Sequence, residues 1–203
     1  MASIEVLIAG KLSHMRTYGS SAMAKTIHLR LEEWPAPICP LLLVTDDDGV
    51  LRALEFGDHE SRMDRLLREH YGSFTLLKGE SPASITRALQ AYFDGNLNAL
   101  AGVRTATGGT PFQREVWKAL REIPAGTTLS YGELARKVGR AGASRAVGTA
   151  NGANPIPIVV PCHRVIGADG TLTGYGGGLA HKKWLLDHEA RFAPFAAFPG
   201  IRQ

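Results

Sequence analysis

Apolar and polar positions follow two different rhythms along this chain, one before residue 105 and one after it. In the first part short apolar runs dominate. Residues 26–33 predict an edge strand, and residues 41–45 and 50–56 predict two apolar strands. Asp46-Asp47-Asp48-Gly49 joins the latter two and reads as a tight turn rather than a cation site, because Asp and Gly are what a hairpin needs. Residues 59–71 place Met63, Leu66, Leu67 and Tyr71 at helical spacing, and residues 74–78 return to a strand. Ser81-Pro82 supplies an N-cap followed by proline at the first helical position. The helix it opens carries Ile85, Leu89 and Phe93 on one face and stops at Asp94-Gly95.

In the second part the period is helical. After a linker over residues 97–109, Thr110-Pro111-Phe112-Gln113 forms a capping box, with Phe112, Val116 and Leu120 as the buried face and Pro124-Ala125-Gly126 as the stop. Ser130-Tyr131-Gly132-Glu133 is a second capping box, followed by Leu134, Ala135 and Val138 and closed by Gly139. A short glycine turn, 139–142, leads to a third helix over residues 143–153. Helix, tight turn, helix is the helix-turn-helix pattern. The β-branched run 156–160 then predicts a buried strand, stopped by Pro161, with Cys162 and His163 directly after it. Residues 171–178 form a glycine-rich loop, and 181–189 a last helix with Trp184 and Leu185 inward and Lys182 and Lys183 outward. Residues 1–24 read as a leader or flexible arm and 192–203 as a tail. The domains expected are therefore 25–104 and 105–191.

Composition adds few constraints, and charge adds one. With 203 residues, 44% hydrophobic and 21% charged, the chain is an ordinary globular sequence. Two cysteines, Cys39 and Cys162, cannot make a disulfide framework, and their usage fits a reducing cytoplasm. No apolar run is long enough to span a bilayer. The sequence has no CxxC or HExxH spacing, so no metal site is expected, and the glycine-rich loop lacks the lysine of a P-loop. Residues 1–104 hold 11 basic and 13 acidic side chains, whereas residues 105–203 hold 12 and 6. The excess of positive charge sits in the helical part, as expected if that part meets a polyanion.

The third helix, Ala143-Ser144-Arg145-Ala146-Val147-Gly148-Thr149-Ala150-Asn151-Gly152, offers one arginine and a surface of small residues. A helix that reads the major groove normally presents several long polar side chains. Each internal glycine costs about 1 kcal/mol against alanine. Two explanations stand: close packing inside the protein, or close approach to a narrow groove. Cys162 likewise admits two readings, a small buried hydrophobe or a reactive thiol with His163 at its shoulder.

Pro161-Cys162-His163-Arg164-Val165 resembles the active-site signature of the O6-alkylguanine-DNA alkyltransferases. Thr110-Pro111-Phe112-Gln113-Arg114-Glu115-Val116-Trp117, Ser130-Tyr131-Gly132, Arg145-Ala146-Val147-Gly148, Asn154-Pro155, Gly174-Tyr175 and Trp184-Leu185-Leu186 with Glu189 are similar to other segments of that family, in its order, over residues 107–190. Residues 26–104 resemble the variable N-terminal domain of the bacterial constitutive form. The resemblance implies an α+β chain: a small ribonuclease H-like α/β domain with an antiparallel sheet, then a mainly helical, winged-helix-like domain with the helix-turn-helix. It implies that Cys162 takes the alkyl group, that His163 acts through a water as general base oriented by Glu189, and that Asn154 braces the segment. Tyr131 would donate a proton towards guanine N3, Tyr175 would line the alkyl pocket, and backbone groups from Val165 to Tyr175 would hold the base. Arg145 would replace the flipped nucleotide, with Ala143, Ser144, Gly148, Thr149 and Gly152 on the minor-groove face. The implied partner is double-stranded DNA bearing O6-alkylguanine, with O4-alkylthymine as a second lesion. The protein would be a monomer with cooperativity on DNA left open, cytoplasmic and nucleoid-associated in a bacterium, and without cofactor or metal. Gly176 stands where some members carry a base-contacting serine, and it is not assigned as a ligand. The alternative is a non-catalytic lesion sensor or regulator of the same fold; a Cys-His hydrolase would instead turn over an ester or amide.

Overall fold

The computed structural model describes residues 16–18 and 27–193. The expected leader lies outside the described residues except for 16–18, and the expected tail does so from residue 194. Strands β1 (Arg16–Tyr18), β2 (Ile27–Trp34), β3 (Leu41–Asp46), β4 (Leu51–Phe56) and β5 (Phe74–Lys78) form one sheet in the order β1-β5-β2-β3-β4. Neighbours run antiparallel except β2 and β5, which are parallel. The strand expected at the edge, β2, is therefore interior. A parallel neighbour needs a crossover connection, and α1 (Glu60–Tyr71) supplies it, returning the chain so that β5 can lie beside β2. The edge on the side of the helical half is β4.

Local chemistry explains the connections. Gly49 turns the β3–β4 hairpin at φ +68°, and the Asp46 carboxylate accepts from Val50 N and from Arg52, so the aspartate run closes a turn as expected. Met63, Leu66 and Leu67 of α1 are buried. Met63 and Leu67 pack with Leu29, Leu42, Val44, Ala53, Phe74 and Leu76 on one face of the sheet, where each side chain larger than alanine is worth about 1.5–3 kcal/mol on full burial. Helix α2 (Ala83–Phe93) buries Ile85, Leu89, Tyr92 and Phe93. Its start departs from expectation. Pro82 itself occupies the N-cap position with no side-chain cap bond, while Ser81 N donates to Glu32.

The second half contains α3 (Pro111–Arg121), the short strand β6 (Leu129–Ser130), α4 (Tyr131–Lys137), α5 (Ser144–Gly152), β7 (Val165–Ile166) and α6 (Leu179–Phe192). Both capping boxes form in full, Thr110 with Gln113 and Ser130 with Glu133. On α3 the buried face is Val116, Trp117, Ala119 and Leu120, with Phe112 only part-buried. Trp117 turns inward because its indole N–H donates to Ala150 O at 2.8 Å, tying α3 to α5. The turn between α4 and α5 uses left-handed glycines at 139 and 142. Strand β6 pairs with β7 in parallel, which brings the start of α4 beside the chain that follows Cys162. One core cluster runs from Leu41, Leu54 and Phe56 through Leu89 and Tyr92 to Val116, Val147, Ile156 and Leu185. No helix among the described residues is long and apolar enough to cross a membrane.

Residues 156–160 are not a strand. They are buried as expected but wind through turns. Their backbone bonds are local: Val159 N to Pro157 O, Val160 N to Ile156 O and Cys162 N to Val160 O. Prolines at 155, 157 and 161 carry no N–H, so no ladder can form there. Ile158 adopts φ +71°, which for a β-branched residue is a strained conformation. The loop is held instead by Leu54 N of the edge strand β4, which donates to Pro155 O at 3.0 Å.

Candidate active site

The loop delivers Cys162 to the first position of a 3-10 turn, Cys162–Arg164, whose three residues are all buried. Asn154 holds it in place. Its side-chain N–H2 donates to Cys162 Sγ at 3.0 Å and to Val160 O at 2.8 Å, while its Oδ1 accepts from Ile156 N at 3.0 Å. Asn151 adds a longer bond, 3.4 Å, to the Cys162 carbonyl. Burial pushes the Cys162 thiol up; the Asn154 amide and then the charges of Arg62 and Lys182 pull it down. A thiol so placed is protonated at rest and acquires nucleophilic character only as its proton is taken.

His163 is fully buried, and its Nε2 lies 2.8 Å from Glu189 Oε1. An ionised carboxylate only accepts, so Nε2 carries the proton and Nδ1 presents a lone pair. Nδ1 is buried and has no hydrogen-bond partner among the described residues. Burial pushes the imidazole down, so it rests neutral. Glu189 is buried in α6 and saturated with donors. Oε1 accepts from Tyr92 O–H at 3.0 Å and Arg164 Nη2 at 2.8 Å, and Oε2 accepts from Gly126 N at 2.9 Å and Arg164 Nε at 3.0 Å. Burial works against its charge, but the donors from His163 and the guanidinium of Arg164 outweigh it and hold the carboxyl well below the ordinary range.

The other expected residues lie in α4, in and just before α5, and in the 165–175 segment. Tyr131 opens α4, and its O–H donates to the carbonyls of Thr173 and Gly174, each at 3.1 Å, so the phenol reaches over the glycine-rich loop. Gly174 takes φ +48°, and a Cβ there would sit 3.4 Å from that phenol oxygen. Tyr175 is near Phe56, and its buried hydroxyl has no hydrogen-bond partner among the described residues. Val165 is buried in β7. Arg145 and Thr149 are exposed on α5, with Ala143, Ser144, Gly148 and Gly152 half-buried. Among the described residues a Cβ on Gly152 would meet nothing within 4 Å, and one on Gly148 would make only ordinary contact, 3.6 Å, with the Tyr131 ring. Packing inside the protein therefore does not demand these two glycines.

Five residues of the site were not singled out in the sequence. Lys182, expected outward, is fully buried; its Nζ donates to Val165 O at 2.6 Å and Thr173 O at 2.7 Å, tying both ends of the 165–173 segment. Burial pushes this ammonium down to about 8. Helical periodicity alone cannot reveal this, because the acceptors are backbone carbonyls of a loop. Arg164 lies in the signature, but its part in the site shows only when Glu189 is placed beside it. Tyr92 comes from the first half. Gly126, at φ +75°, is the turn that donates to Glu189. Arg62 of α1 pairs with Glu55 and donates from Nη2 to Gly152 O at 2.7 Å and Asn154 O at 2.9 Å. It thus clamps the end of α5 to the start of the Cys162 loop. A side chain on Gly176 would run into this guanidinium, which accounts for glycine there.

Residues 111–191 match the family described as 6-O-methylguanine DNA methyltransferase, DNA binding domain. The methylated-DNA–protein-cysteine methyltransferase of Salmonella typhimurium is 52% identical over 165 residues, covering 80% of this chain and 96% of the relative. That of Methanosarcina acetivorans is 43% identical over 162 residues, covering 76% and 94%. The crystal structure of Mycobacterium tuberculosis OGT in complex with DNA superposes with a TM-score of 0.67 at 43% identity, covering 83% of this chain and 96% of that one. With a buried Cys-Asn and His-Glu arrangement beside a helix-turn-helix, and with likeness of this extent, the chain belongs to the bacterial-type methylated-DNA–protein-cysteine methyltransferases, DNA repair enzymes that remove an alkyl lesion onto their own cysteine and are spent in doing so.

Proposed function

We propose that Cys162 is the acceptor and that O6-alkylguanine in duplex DNA, with O4-alkylthymine as a second lesion, is the donor. The observation that carries this reading is the buried Nε2–Glu189 bond of His163, which leaves a lone pair on Nδ1 in the segment that presents a thiol held by Asn154. Through a water, Nδ1 takes the thiol proton, and Glu189 stabilises the imidazolium that forms. The thiolate sulfur attacks the alkyl carbon. The carbon–O6 bond breaks, its electron pair passes into the guanine ring, and Tyr131 delivers a proton towards N3. The thioether has no route back, and the reaction balances without a cofactor.

Guanine O6 lies inside the duplex, so the nucleotide must be extruded at a cost of a few kcal/mol. Arg145, exposed near the start of α5, fills the vacated stack, and the small face of Ala143, Ser144, Gly148, Thr149 and Gly152 enters the minor groove. Tyr175 borders the alkyl group, and the 165–174 backbone pinned by Lys182 receives the base. The protein acts as a monomer in the cytoplasm, at the nucleoid. Incubation with a duplex containing O6-methylguanine is expected to add one methyl group to the peptide carrying Cys162, with no further turnover. An unmodified Cys162 in the presence of excess substrate, or repeated turnover, would overturn the proposal.

A further inference from the structure

Outside the reaction site, one cluster of side chains from three separate segments brings together a thiol, a carboxylate and an imidazole. Cys39 precedes β3, Asp58 lies in the 3-10 turn Gly57–His59 after β4, and His181 is in the first turn of α6. Their donor atoms all lie within 4.8 Å of one another, and His181 Nε2 is 3.7 Å from Asp58 Oδ2. Cys39 is a free thiol. We propose that Cys39 Sγ, one oxygen of Asp58 and His181 Nε2 bind a single zinc ion, with water in the fourth position.

The imidazole is prepared for this role. His181 Nδ1 lies 2.7 Å from the Gly177 carbonyl oxygen, which can only accept, so Nδ1 donates there and Nε2 is the nitrogen left facing the thiol and carboxylate. Histidines that bind metals commonly donate their other N–H to a backbone carbonyl in this way. The ring is also held flat against Phe56, with centroids 4.2 Å apart and planes 15° apart. Cys39 is kept in register because Gly57 N donates to Pro40 O at 2.8 Å, which joins the Cys39 segment to the turn carrying Asp58.

Thiolate with imidazole and carboxylate is a zinc donor set; magnesium and calcium prefer oxygen alone. Zinc–ligand bonds of about 2.0–2.3 Å place donors roughly 3.5 Å apart in a tetrahedron. The cluster must therefore close by about 1 Å, which the exposed Asp58 side chain permits. On binding, the metal replaces the thiol proton, which is released to solvent. The ion would fasten the β3 lead-in and the turn after β4, both in the first half, to the start of α6 in the second.

The test uses the full-length reduced protein and Co²⁺ as an optical probe, with Zn²⁺ as competitor. One equivalent of Co²⁺ should give a thiolate-to-metal charge-transfer band, and Zn²⁺ should displace it. Prior methylation of Cys162 by lesion DNA should leave the band intact. Cys39→Ser should abolish it while still accepting one methyl group, and His181→Gln and Asp58→Asn should each weaken Co²⁺ binding at least about tenfold. A band that survives Cys39→Ser, a band lost on methylation of Cys162, or no band from fully reduced protein would overturn the assignment. Unchanged affinity in both His181→Gln and Asp58→Asn would do the same.

Discussion

Glu189→Gln keeps the shape of the side chain and removes only its charge and one acceptor, which makes it the sharpest probe of the buried network. In the wild type the carboxylate accepts from His163, Tyr92, Gly126 and Arg164. An amide turned either way sets its NH2 against donors, Arg164 Nε and Gly126 N on one side or His163, Tyr92 and Arg164 on the other. Arg164 is itself buried, so the substitution leaves a charge without its counter-ion. Removing one partner of a buried pair costs about 3–5 kcal/mol, a large share of the roughly 5–15 kcal/mol that hold a protein of this kind together. Urea unfolding should show a lower midpoint with an unchanged slope. Tyr92→Phe, which removes a single donor to the charged group, should cost less, about 1.5–3 kcal/mol. Arg164→Met combined with Glu189→Gln should be less damaging than the two singles added, by at least about 2 kcal/mol, because no charge is then orphaned. A loss below about 1 kcal/mol for Glu189→Gln, or simple additivity with Arg164→Met, would refute the argument. The acid side gives a second reading. The carboxyl titrates lower in the folded protein than in the unfolded chain, so the unfolded state binds the proton first. Its stabilisation is fully present above the ordinary glutamate value of about 4.3 and is lost as pH falls below it; Glu189→Gln should lack that part of the slope.

Other expectations follow from the same geometry. Gly148→Ala, whose Cβ would make only ordinary contact, should stabilise the protein by up to about 1 kcal/mol yet weaken binding to duplex DNA, measured by denaturation and by fluorescence anisotropy; stability and affinity rising together would count against a groove-facing helix. Lys182→Met, which withdraws the donor to Val165 O and Thr173 O, should slow single-turnover alkyl transfer at least about tenfold, roughly 1.4 kcal/mol, and should also lower Tm, because both carbonyls lose their donor. Arg145→Ala should reduce reaction with lesion duplex more than reaction with free O6-alkylguanine base, and equal losses would remove the wedge role.

Much of this architecture was legible in the sequence, for identifiable reasons. Capping boxes at Thr110 and Ser130 and left-handed glycines at 139 and 142 are local instructions, and each forms where its residues stand. The position of β2 inside the sheet was not legible, because strand order depends on where α1 returns the chain. The run 156–160 misled for the opposite reason: its composition is that of a strand, but the prolines at 155, 157 and 161 remove the donors a strand requires. At the site, Cys162, His163, Asn154 and Glu189 could be picked out through a resemblance that preserves their order. Lys182 and Arg164 could not, since long basic side chains read as solvated until a carbonyl pair or a carboxylate is found to receive them.

The core that passes from Leu54 and Phe56 through Tyr92 to Val116 and Leu185 has a consequence for how the molecule comes apart. The carboxylate orienting His163 takes one of its donors from Tyr92, and the Cys162 loop hangs from Leu54 N and Arg62, so the reactive half does not contain all of its own supports. Melting the sheet domain alone would strip these away. Unfolding is therefore expected as one transition rather than two, with calorimetric and van't Hoff enthalpies in agreement. Severing the chain between α2 and α3 should yield a DNA-binding fragment whose thiol has lost its setting.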